Sequence, residues 1–335
     1  MNLELQHYDE LPQGLLDCEA NQLVDILAGP SLINLKGKTD EVLFISILLH
    51  GNEITGWEAM RNLLKKYQNE ILPRSICLFI GNVIAAGSAQ RVLAGQNDFN
   101  RIWKDGNSAE HLLARKVLTK LSELNLFAAI DIHNNTGKNP HYGCINKLEP
   151  KFLYLATLFS RTVVYFIKPD SVMSMAMSAY CPAVTIECGQ PGQARGTQHV
   201  LEYLEASLHL SHFPEHPISS QDVDLFHTVA TVRIPDDISI GFADAEADVE
   251  LLPDIDRLNF NEIPAGTAFG KVNTGKNMVF DILDEQGRDA SARFFEIHDG
   301  WILTRRQLMP SMLTLKLEII KQDCLCYLME RISLK

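Results

Sequence analysis

The sequence lacks the features that mark a nucleic-acid-binding or membrane-spanning protein. Only 30 of its 335 residues are Lys or Arg, against 42 Asp or Glu, which gives a net charge of -12. Nucleic-acid binding depends mostly on clustered cations that contact phosphates, so DNA and RNA are not expected as partners. The longest nearly unbroken apolar run, VLFISILL at 42–49, is too short to span a bilayer, and the amino terminus has no basic segment followed by an apolar one. We therefore expect a cytoplasmic protein with no membrane partner.

The cysteine pattern fits neither a disulfide framework nor a thiolate metal site. The chain has seven cysteines, an odd number, and none of them forms a C-x-x-C pair. This usage suits a reducing compartment. Cys188 directly follows Glu187 and has the chemistry of a nucleophile, but a buried small apolar residue at a strand end is the favoured interpretation.

Chain length and a change in sequence pattern predict two domains. A chain of 335 residues exceeds the usual size of a single domain. We expect an α/β domain at 1–215 and a β-rich C-terminal domain at 216–335, because short β-type runs separated by turn signals follow the first segment. Residues 234–256 hold eight acids and no Lys or Arg. A solvated face is favoured for this stretch, and binding of a cation or a cationic substrate is the alternative.

Apolar runs alternate with amphipathic stretches through the first domain. The predicted strands are 42–49, 76–82, 126–133, 162–167 and 183–189, and the predicted helices are 53–67, 108–124, 150–161 and 193–211. Ser108 is the expected N-cap of the second helix. This βαβ alternation predicts a parallel or mixed sheet with helices on both faces. The fold class we expect is α/β, with a mixed, largely parallel sheet flanked by helices.

The spacing His-x-x-Glu occurs four times, so spacing alone is weak evidence for a metal site. The pairs begin at His7, His50, His199 and His212. Only His50 ends a predicted buried strand, with Glu53 on the turn that opens the next helix. Ligands of open α/β sheets gather at the carboxyl ends of strands. Position therefore singles out the pair at 50 and 53.

Further candidate residues end two other predicted strands. His133 ends 126–133 and Glu187 lies near the end of 183–189. Two histidines and one carboxylate leave the open position that catalytic zinc requires, and Glu187 would then act as the general base. Asp131 projects to the same face as His133 and could orient its imidazole. The alternative is that His133 and Glu187 are ordinary polar residues at strand ends.

A polar, glycine-containing segment at 82–103 carries Arg91, Asn100 and Arg101. One arginine there could clamp a substrate carboxylate, and a second could stabilise the oxyanion of a tetrahedral intermediate. Surface arginines on a long loop are the alternative.

Four motifs occur in order along the chain: HGNE (50–53), DFNR (98–101), DIHNNTG (131–137) and IECG (186–189). Together they resemble the succinylglutamate desuccinylase/aspartoacylase family, a branch of the zinc carboxypeptidase fold. NFNEIPAGTAFG (259–270) is similar to the second domain of that family. Each motif is loose singly, whereas four in sequence are specific. The resemblance implies a zinc carboxypeptidase-like fold and hydrolysis of an amide between an acyl group and an amino acid.

The resemblance assigns a role to each candidate at the metal. By position, His50, Glu53 and His133 correspond to the family's zinc ligands, with one ion per chain. Glu187 corresponds to the carboxylate that activates water.

The resemblance also assigns substrate contacts. Asn100 and Arg101 occupy the family's Asp-Leu-Asn-Arg slot, which holds a substrate carboxylate, with Asp98-Phe99 in place of Asp-Leu. Arg91 is the candidate for the arginine that polarises the scissile carbonyl.

The chain departs from the aspartoacylase pattern in one segment. Aspartoacylases carry a further substrate-binding arginine shortly before the catalytic glutamate, yet 169–187 contains no Lys or Arg. Aspartate selectivity is therefore not expected. Met173, Met175 and Met177 could line an apolar pocket, although core packing is the simpler account.

Three functions compete. The first is a zinc amidohydrolase that deacylates a small N-acyl amino acid or related carboxylate. The second is a metallocarboxypeptidase acting on peptides, since the same ligands and carboxylate clamp serve either bond. The third is a binding or regulatory protein on a hydrolase fold, which is disfavoured because structural zinc usually has four protein ligands.

Overall fold

A computed structural model describes residues 3–243, 246–273, 275 and 279–334 of the chain. It divides into two compact units. Of the described residues, the first holds 3–134 and 141–225, and the second holds 135–140 and those within 226–333. The domain boundary predicted between 215 and 216 stays a prediction.

The first unit alternates strands and helices. Its strands are β1 (Gln6–Tyr8), β2 (Ser31–Leu35), β3 (Val42–Ile47), β4 (Ser75–Ile80), β5 (Leu126–His133), β6 (Tyr142–Ile145), β7 (Thr162–Tyr165) and β8 (Ala183–Glu187). Its α-helices are α1 (Thr55–Lys66), α2 (Val83–Gly87), α3 (Ala109–Ser122), α4 (Pro150–Thr157), α5 (Met173–Met177) and α6 (Ala194–His209). Short 3₁₀ turns cover Leu15–Asp17 and Ala20–Asp25.

These eight strands lie in the order β1-β2-β4-β3-β5-β8-β6-β7. Pairing is parallel between β1 and β2, among β4, β3, β5 and β8, and between β6 and β7. It is antiparallel where β2 meets β4 and where β6 meets β8. The predicted fold class, a mixed and largely parallel sheet with helices, is confirmed. The central strands are buried on both faces, which explains their continuous apolar sequences.

Register across the sheet separates its two faces. Ser46, Asp131 and Thr185 lie opposite one another on β3, β5 and β8, and His133 lies opposite Glu187. Side chains alternate along a strand, so these five polar residues share one face. The functional candidates therefore project together from a single side of the sheet.

Helix α1 packs closely against the other face. A Cβ added at Gly56 would lie 2.8 Å from Ile47 Cγ2 and 3.3 Å from Ile132 Cβ. Ile47 and Ile132 are buried. Only glycine permits this close approach of the helix to β3 and β5.

Several predicted boundaries agree with the structure. The strand predicted at 126–133 is β5, and Ser108 caps α3, since its hydroxyl accepts the N–H of His111 at 3.3 Å. The strand predicted at 183–189 ends earlier, at Glu187, because Gly189 adopts a left-handed conformation with a φ of 79°. Helix α4 ends at Thr157, four residues before its predicted end.

The second unit is β-rich. Its strands are β9 (Asp224–Arg233), β10 (Ile240–Phe242), β11 (Val249–Leu251), β12 (Ala268–Val272), β13 (Asp281–Asp284), β14 (Phe295–His298), β15 (Trp301–Thr304), β16 (Met309–Ser311) and β17 (Cys326–Arg331). Helices α7 (Ser291–Phe294) and α8 (Leu317–Gln322) are short, and a 3₁₀ turn covers Ile255–Leu258. A five-stranded sheet in the order β10-β11-β12-β15-β14 confirms the predicted smaller C-terminal sheet.

Residues 135–140 belong to this second unit although they follow β5 in the chain. The Asn139 side-chain oxygen accepts the N–H of Met312 at 3.0 Å, and Lys138 pairs with Asp256 at 3.3 Å. Asp256 is buried, so at least one acid of the 234–256 stretch is not on a solvated face. Asp244 of that stretch lies outside the described residues.

None of the helices in the described part of the chain combines the length and apolar character that a membrane span requires.

Candidate metal centre and catalytic site

A sharp turn after β3 brings His50 and Glu53 to the edge of the sheet. Leu48 has a φ of 53°, in the left-handed region, which costs a non-glycine residue about 1–2 kcal/mol. The Leu48 carbonyl accepts the N–H of Asn82 at 2.6 Å, and this bond holds the turn against the end of β4. The chain then places both side chains just before α1 begins.

Gly51, between these two residues, lies against the backbone of α2. An added Cβ would be 2.3 Å from both the Ala85 carbonyl carbon and the Ala86 nitrogen, and 2.7 Å from the Gln90 oxygen. Backbone atoms on a helix cannot move aside as a flexible side chain can. The glycine of the HGNE motif is therefore required by close packing.

The Gly51→Ala variant is expected to lose about 2 kcal/mol or more of its unfolding free energy, because the methyl group must displace the turn or α2. It should also bind metal more weakly, since the turn carries two ligands. Urea denaturation and metal titration would measure both effects. Gly275→Ala is the control, because an added Cβ there meets no described atom within 4 Å. Wild-type stability of the Gly51 variant would contradict the packing account.

His50, Glu53 and His133 converge in a buried cluster. One ligand atom from each lies within 4.8 Å of the others. Glu53 bridges the two imidazoles: its carboxylate oxygens lie 2.8 Å from His50 Nδ1 and 2.8 Å from His133 Nδ1. All three residues are at most 6% exposed. Among the described residues this is the one group of three or more such side chains that could hold a metal ion.

Each imidazole contacts an aspartate through Nε2, the ring nitrogen that does not face Glu53. His50 Nε2 lies 2.9 Å from Asp98 Oδ1, and His133 Nε2 lies 2.8 Å from Asp131 Oδ2. A carboxylate that accepts the Nε2 proton fixes the ring and leaves the Nδ1 lone pair for a cation. Two neutral imidazoles oriented in this way, together with the Glu53 carboxylate, fit a divalent ion such as zinc.

Electrostatics of the metal-free cluster favour protonated histidines. Burial lowers the pKa of His133, but Asp131 and Glu53 outweigh it and hold that pKa well above its usual range. Burial also lowers the pKa of His50, and the net shift is again upward because Glu53 and Asp98 favour the imidazolium. Burial would raise the pKa of Glu53, but the two imidazoles hold it well below its usual range. A cation must therefore displace protons to bind.

The stabilisation gained from metal is expected to grow with pH. Protonated His50 and His133 stabilise the metal-free protein fully below the usual histidine pKa, and this contribution is lost as pH rises through their raised values. Protons also compete less with metal at higher pH. The difference in Tm between zinc-loaded and chelator-treated protein should thus be larger at about pH 8.5 than at about pH 6. Thermal melts across this range would measure it, and a constant or shrinking difference would contradict the protonation account.

Glu187 lies beside the cluster as a buried carboxyl group. It faces His133 across β5 and β8 and is 8% exposed. Its Oε2 atom has no hydrogen-bond partner among the described residues. Burial raises the pKa of Glu187 to about 7, with a further upward contribution from Glu53 and an opposing one from His133. A bound cation would lower this pKa, because positive charge favours the carboxylate.

The three predicted substrate-contact residues lie around the same cluster. Arg91 donates to Glu53 Oε1 at 3.4 Å and to Asp98 Oδ2 at 3.2 Å. The Asn100 amide nitrogen is 3.3 Å from His133 Nε2. Arg101 donates to the Asn100 backbone carbonyl at 3.0 Å.

The orientation of Asn100 is fixed from the opposite side. Its side-chain oxygen accepts the N–H of Met173 at 3.2 Å, so its amide N–H groups face His133. Met173 and Met177 are fully buried, whereas Met175 is half-buried. Met173 and Met177 are thus part of the core, in agreement with the core-packing account of this segment.

Asn134 joins three of the four chain segments that carry the candidate residues, those around Glu53, His133 and Glu187. Its backbone N–H donates to Glu53 Oε2 at 3.1 Å, and its side-chain oxygen accepts the Thr55 N–H at 3.3 Å. Its amide nitrogen donates to the Gly189 carbonyl at 2.8 Å and to Cys188 Sγ at 3.4 Å. It is 4% exposed. Cys188 itself is fully buried and its thiol donates to the His133 carbonyl at 2.8 Å, so it is a core residue rather than an exposed nucleophile.

The sequence reasoning missed two residues of this site. In the sequence, Asp98 stands out only as the first position of DFNR, and Asn134 only as part of DIHNNTG. The available signal was proximity in sequence, since Asn134 adjoins His133 and Asp98 lies two residues before Asn100. Neither contact could be deduced from spacing, because both depend on how separate turns meet.

The fold and the site define an α/β protein with a buried His–Glu–His cluster that could hold a metal ion. Residues 41–208, half of the chain, match the model of the succinylglutamate desuccinylase/aspartoacylase catalytic domain. The chain belongs to this family.

Solved structures with the same fold include members of this family. Succinylglutamate desuccinylase from Chromobacterium violaceum is 16% identical, with a TM-score of 0.58 over 89% of this chain and 87% of that one. The desuccinylase from Vibrio parahaemolyticus is 14% identical, with a TM-score of 0.59 over 91% and 86%. Murine aminoacylase 3 is 15% identical, with a TM-score of 0.57 over 89% and 97%. None of the curated proteins compared with the chain matches its sequence.

Proposed function

We propose that this chain is a zinc-dependent hydrolase that cleaves the amide bond of a small N-acyl amino acid or a related carboxylate. The observation that carries the proposal is the convergence of His50, Glu53 and His133 beside the buried carboxyl of Glu187. Membership of the desuccinylase/aspartoacylase family supports amide hydrolysis as the reaction.

The chain's own residues supply the proton transfers. His50, Glu53 and His133 would hold the ion, which when bound supplies Lewis acidity that polarises a carbonyl and acidifies water. Glu187 accepts a proton from water while the water oxygen bonds to the amide carbon. It then returns that proton to the amine nitrogen as the carbon–nitrogen bond breaks, giving a carboxylic acid and a free amino acid.

Three further residues would bind and stabilise the substrate. Arg91 donates to Glu53 at 3.4 Å and would stabilise the negative charge that develops on the carbonyl oxygen. Asn100 and Arg101 would bind the substrate carboxylate, and the bond from Met173 presets the amide of Asn100 for donation. The segment 169–187 contains no Lys or Arg, so it offers no cation for a second carboxylate. We therefore expect no preference for aspartate over amino acids with neutral side chains.

Elemental analysis of freshly purified protein, followed by a substrate screen with and without chelator, tests the proposal. We expect about one zinc per chain, and hydrolysis of N-acetyl or N-succinyl amino acids that chelator abolishes and zinc restores. The screen should pair aspartate and glutamate derivatives with neutral ones, and include peptides. Release of C-terminal residues from peptides alone would instead establish a carboxypeptidase. Bound zinc with no hydrolysis of any amide or ester would establish a binding protein.

Other properties stay predictions from composition. They are the cytoplasmic location and the lack of nucleic-acid and membrane partners; a small-molecule carboxylate as partner is instead a prediction from the residues of the site and from the family.

A further inference from the structure

A row of polar side chains crosses the sheet directly behind the candidate metal centre. Ser46 on β3 pairs in register with Asp131 on β5, which pairs with Thr185 on β8. Neighbouring strands are about 5 Å apart, so these side chains are adjacent on one face. We call Ser46, Asp131 and Thr185 the polar row. Ser46 and Asp131 are fully buried, and Thr185 is 7% exposed.

Every member of the polar row has a buried oxygen without a hydrogen-bond partner among the described residues. These atoms are Ser46 Oγ, Asp131 Oδ1 and Thr185 Oγ1. A fourth such atom is Oγ of Ser174, which is fully buried on α5, the helix that packs on β5 and β8. Buried polar groups almost always have a partner, because an unpaired one is costly. The three oxygens of the polar row are in register on adjacent strands, so one small ligand could satisfy all of them.

We propose that the polar row binds ordered water and that this water positions Asp131 against His133. Hydroxyl groups both donate and accept, whereas the Asp131 carboxylate only accepts. Water can accept from the Ser46 or Thr185 hydroxyl and donate to Asp131 Oδ1, which satisfies both kinds of group. A buried water typically makes about three hydrogen bonds, and the row supplies that number of partners.

Charge favours a neutral ligand over a monovalent cation. The site contains four carboxylates, those of Glu53, Asp98, Asp131 and Glu187. Two guanidinium groups, of Arg91 and Arg101, together with one divalent ion held by the cluster would balance those four negative charges. A further cation in the polar row would leave an uncompensated charge in a buried region, which is unfavourable.

The water would act on the metal centre through one carboxylate. Asp131 Oδ2 lies 2.8 Å from His133 Nε2, and Oδ1 is the atom that the water would hold. Anchoring both oxygens fixes the carboxylate plane and therefore the imidazole ring. Loss of an outer partner of a ligating histidine typically weakens metal binding by about 10–100-fold. Ser46 and Thr185 would thus act on the metal centre only through Asp131, as positioning residues.

A high-resolution crystal structure tests the water directly. We expect density at about 2.7–3.2 Å from Asp131 Oδ1 and from at least one hydroxyl of the row. Hydroxyls bonded directly to Asp131 or to backbone carbonyls, with no density between them, would overturn the proposal. Density surrounded by several oxygens at the shorter distances of a metal cation would also overturn it.

Zinc affinity, measured by competition with a chelator, tests the positioning role. Thr185→Val and Ser46→Ala should each weaken zinc binding by about tenfold. Thr185→Ser keeps the hydroxyl and should bind as the wild type does. Ser207→Ala is the matched control, because Ser207 is equally buried and its hydroxyl donates to the Tyr203 carbonyl within α6.

Unchanged affinity in both Ser46→Ala and Thr185→Val would refute the positioning role. Ser46→Ala makes the smaller change, so it decides the question if Thr185→Val does not fold. The role rests on the proposed metal site, but neither density nor affinity requires turnover. Failure of the deacylase proposal would therefore leave both readouts intact.

Discussion

The Glu187→Gln variant is expected to retain its metal and to lose about 10³-fold of its kcat. Glutamine has nearly the shape of glutamate but cannot accept a proton from water. The buried carboxyl at this position has a pKa of about 7 in the metal-free protein, so it can exchange a proton near neutral pH. Steady-state kinetics on an N-acyl amino acid, together with zinc analysis of the same sample, would measure both properties.

A matched substitution elsewhere separates chemistry from a general effect of lost charge. Glu215 is exposed and belongs to another His-x-x-Glu pair, so Glu215→Gln should keep full activity. Full activity of Glu187→Gln would remove the general base from the mechanism. Loss of zinc from that variant would show that the carboxylate serves to hold metal instead.

The His133→Ala variant is expected to lose both its metal and much of its stability. The imidazole lies 2.8 Å from Glu53 and 2.8 Å from Asp131, so its removal leaves two buried carboxylates facing a cavity. Removing one partner of a buried ion pair typically costs about 3–5 kcal/mol. Zinc analysis after dialysis and chemical denaturation would measure the two losses, and hydrolysis should fall to background.

The control for this variant is His212→Ala. His212 has the same spacing to a glutamate but is exposed, so its removal should change neither zinc content nor stability. His50→Ala should resemble His133→Ala, because His50 also lies between two carboxylates. Full zinc occupancy in both variants at the candidate centre would disprove the ligand assignment.

The elements that the sequence predicts well are those marked by a local pattern, such as an apolar run or a helix cap. Strand β5 is apolar from Phe127 to Ile130 and ends at a polar group, and α3 begins at a serine cap. Strand β6 was missed because it has four residues, begins after a polar loop and contains Gly143. Its antiparallel direction comes from pairing with β8, which no local pattern encodes.

The candidate site was predictable only in part for the same reason. Strand ends can be identified from sequence to within a few residues, so His50, His133 and Glu187 could be grouped by position. The strand predicted at 42–49 ends at Ile47, however, and His50 lies on the turn after it, because Leu48 is left-handed. The contact of Asp98 with His50 joins residues 48 positions apart through a loop, and the bonds of Asn134 reach Thr55 and Gly189. Such contacts arise from the meeting of turns in three dimensions.

The path of the chain just beyond His133 limits how this protein can be dissected. Residues 135–140 are built into the second unit, where Asn139 and Lys138 bond to Met312 and Asp256. A fragment that stops near residue 225 would keep every candidate ligand but would lack Met312 and Asp256, the partners of Asn139 and Lys138. The unit that carries the candidate ligands is therefore discontinuous in the sequence, and deletion of residues 226–335 would remove contacts of a segment that begins two positions after His133.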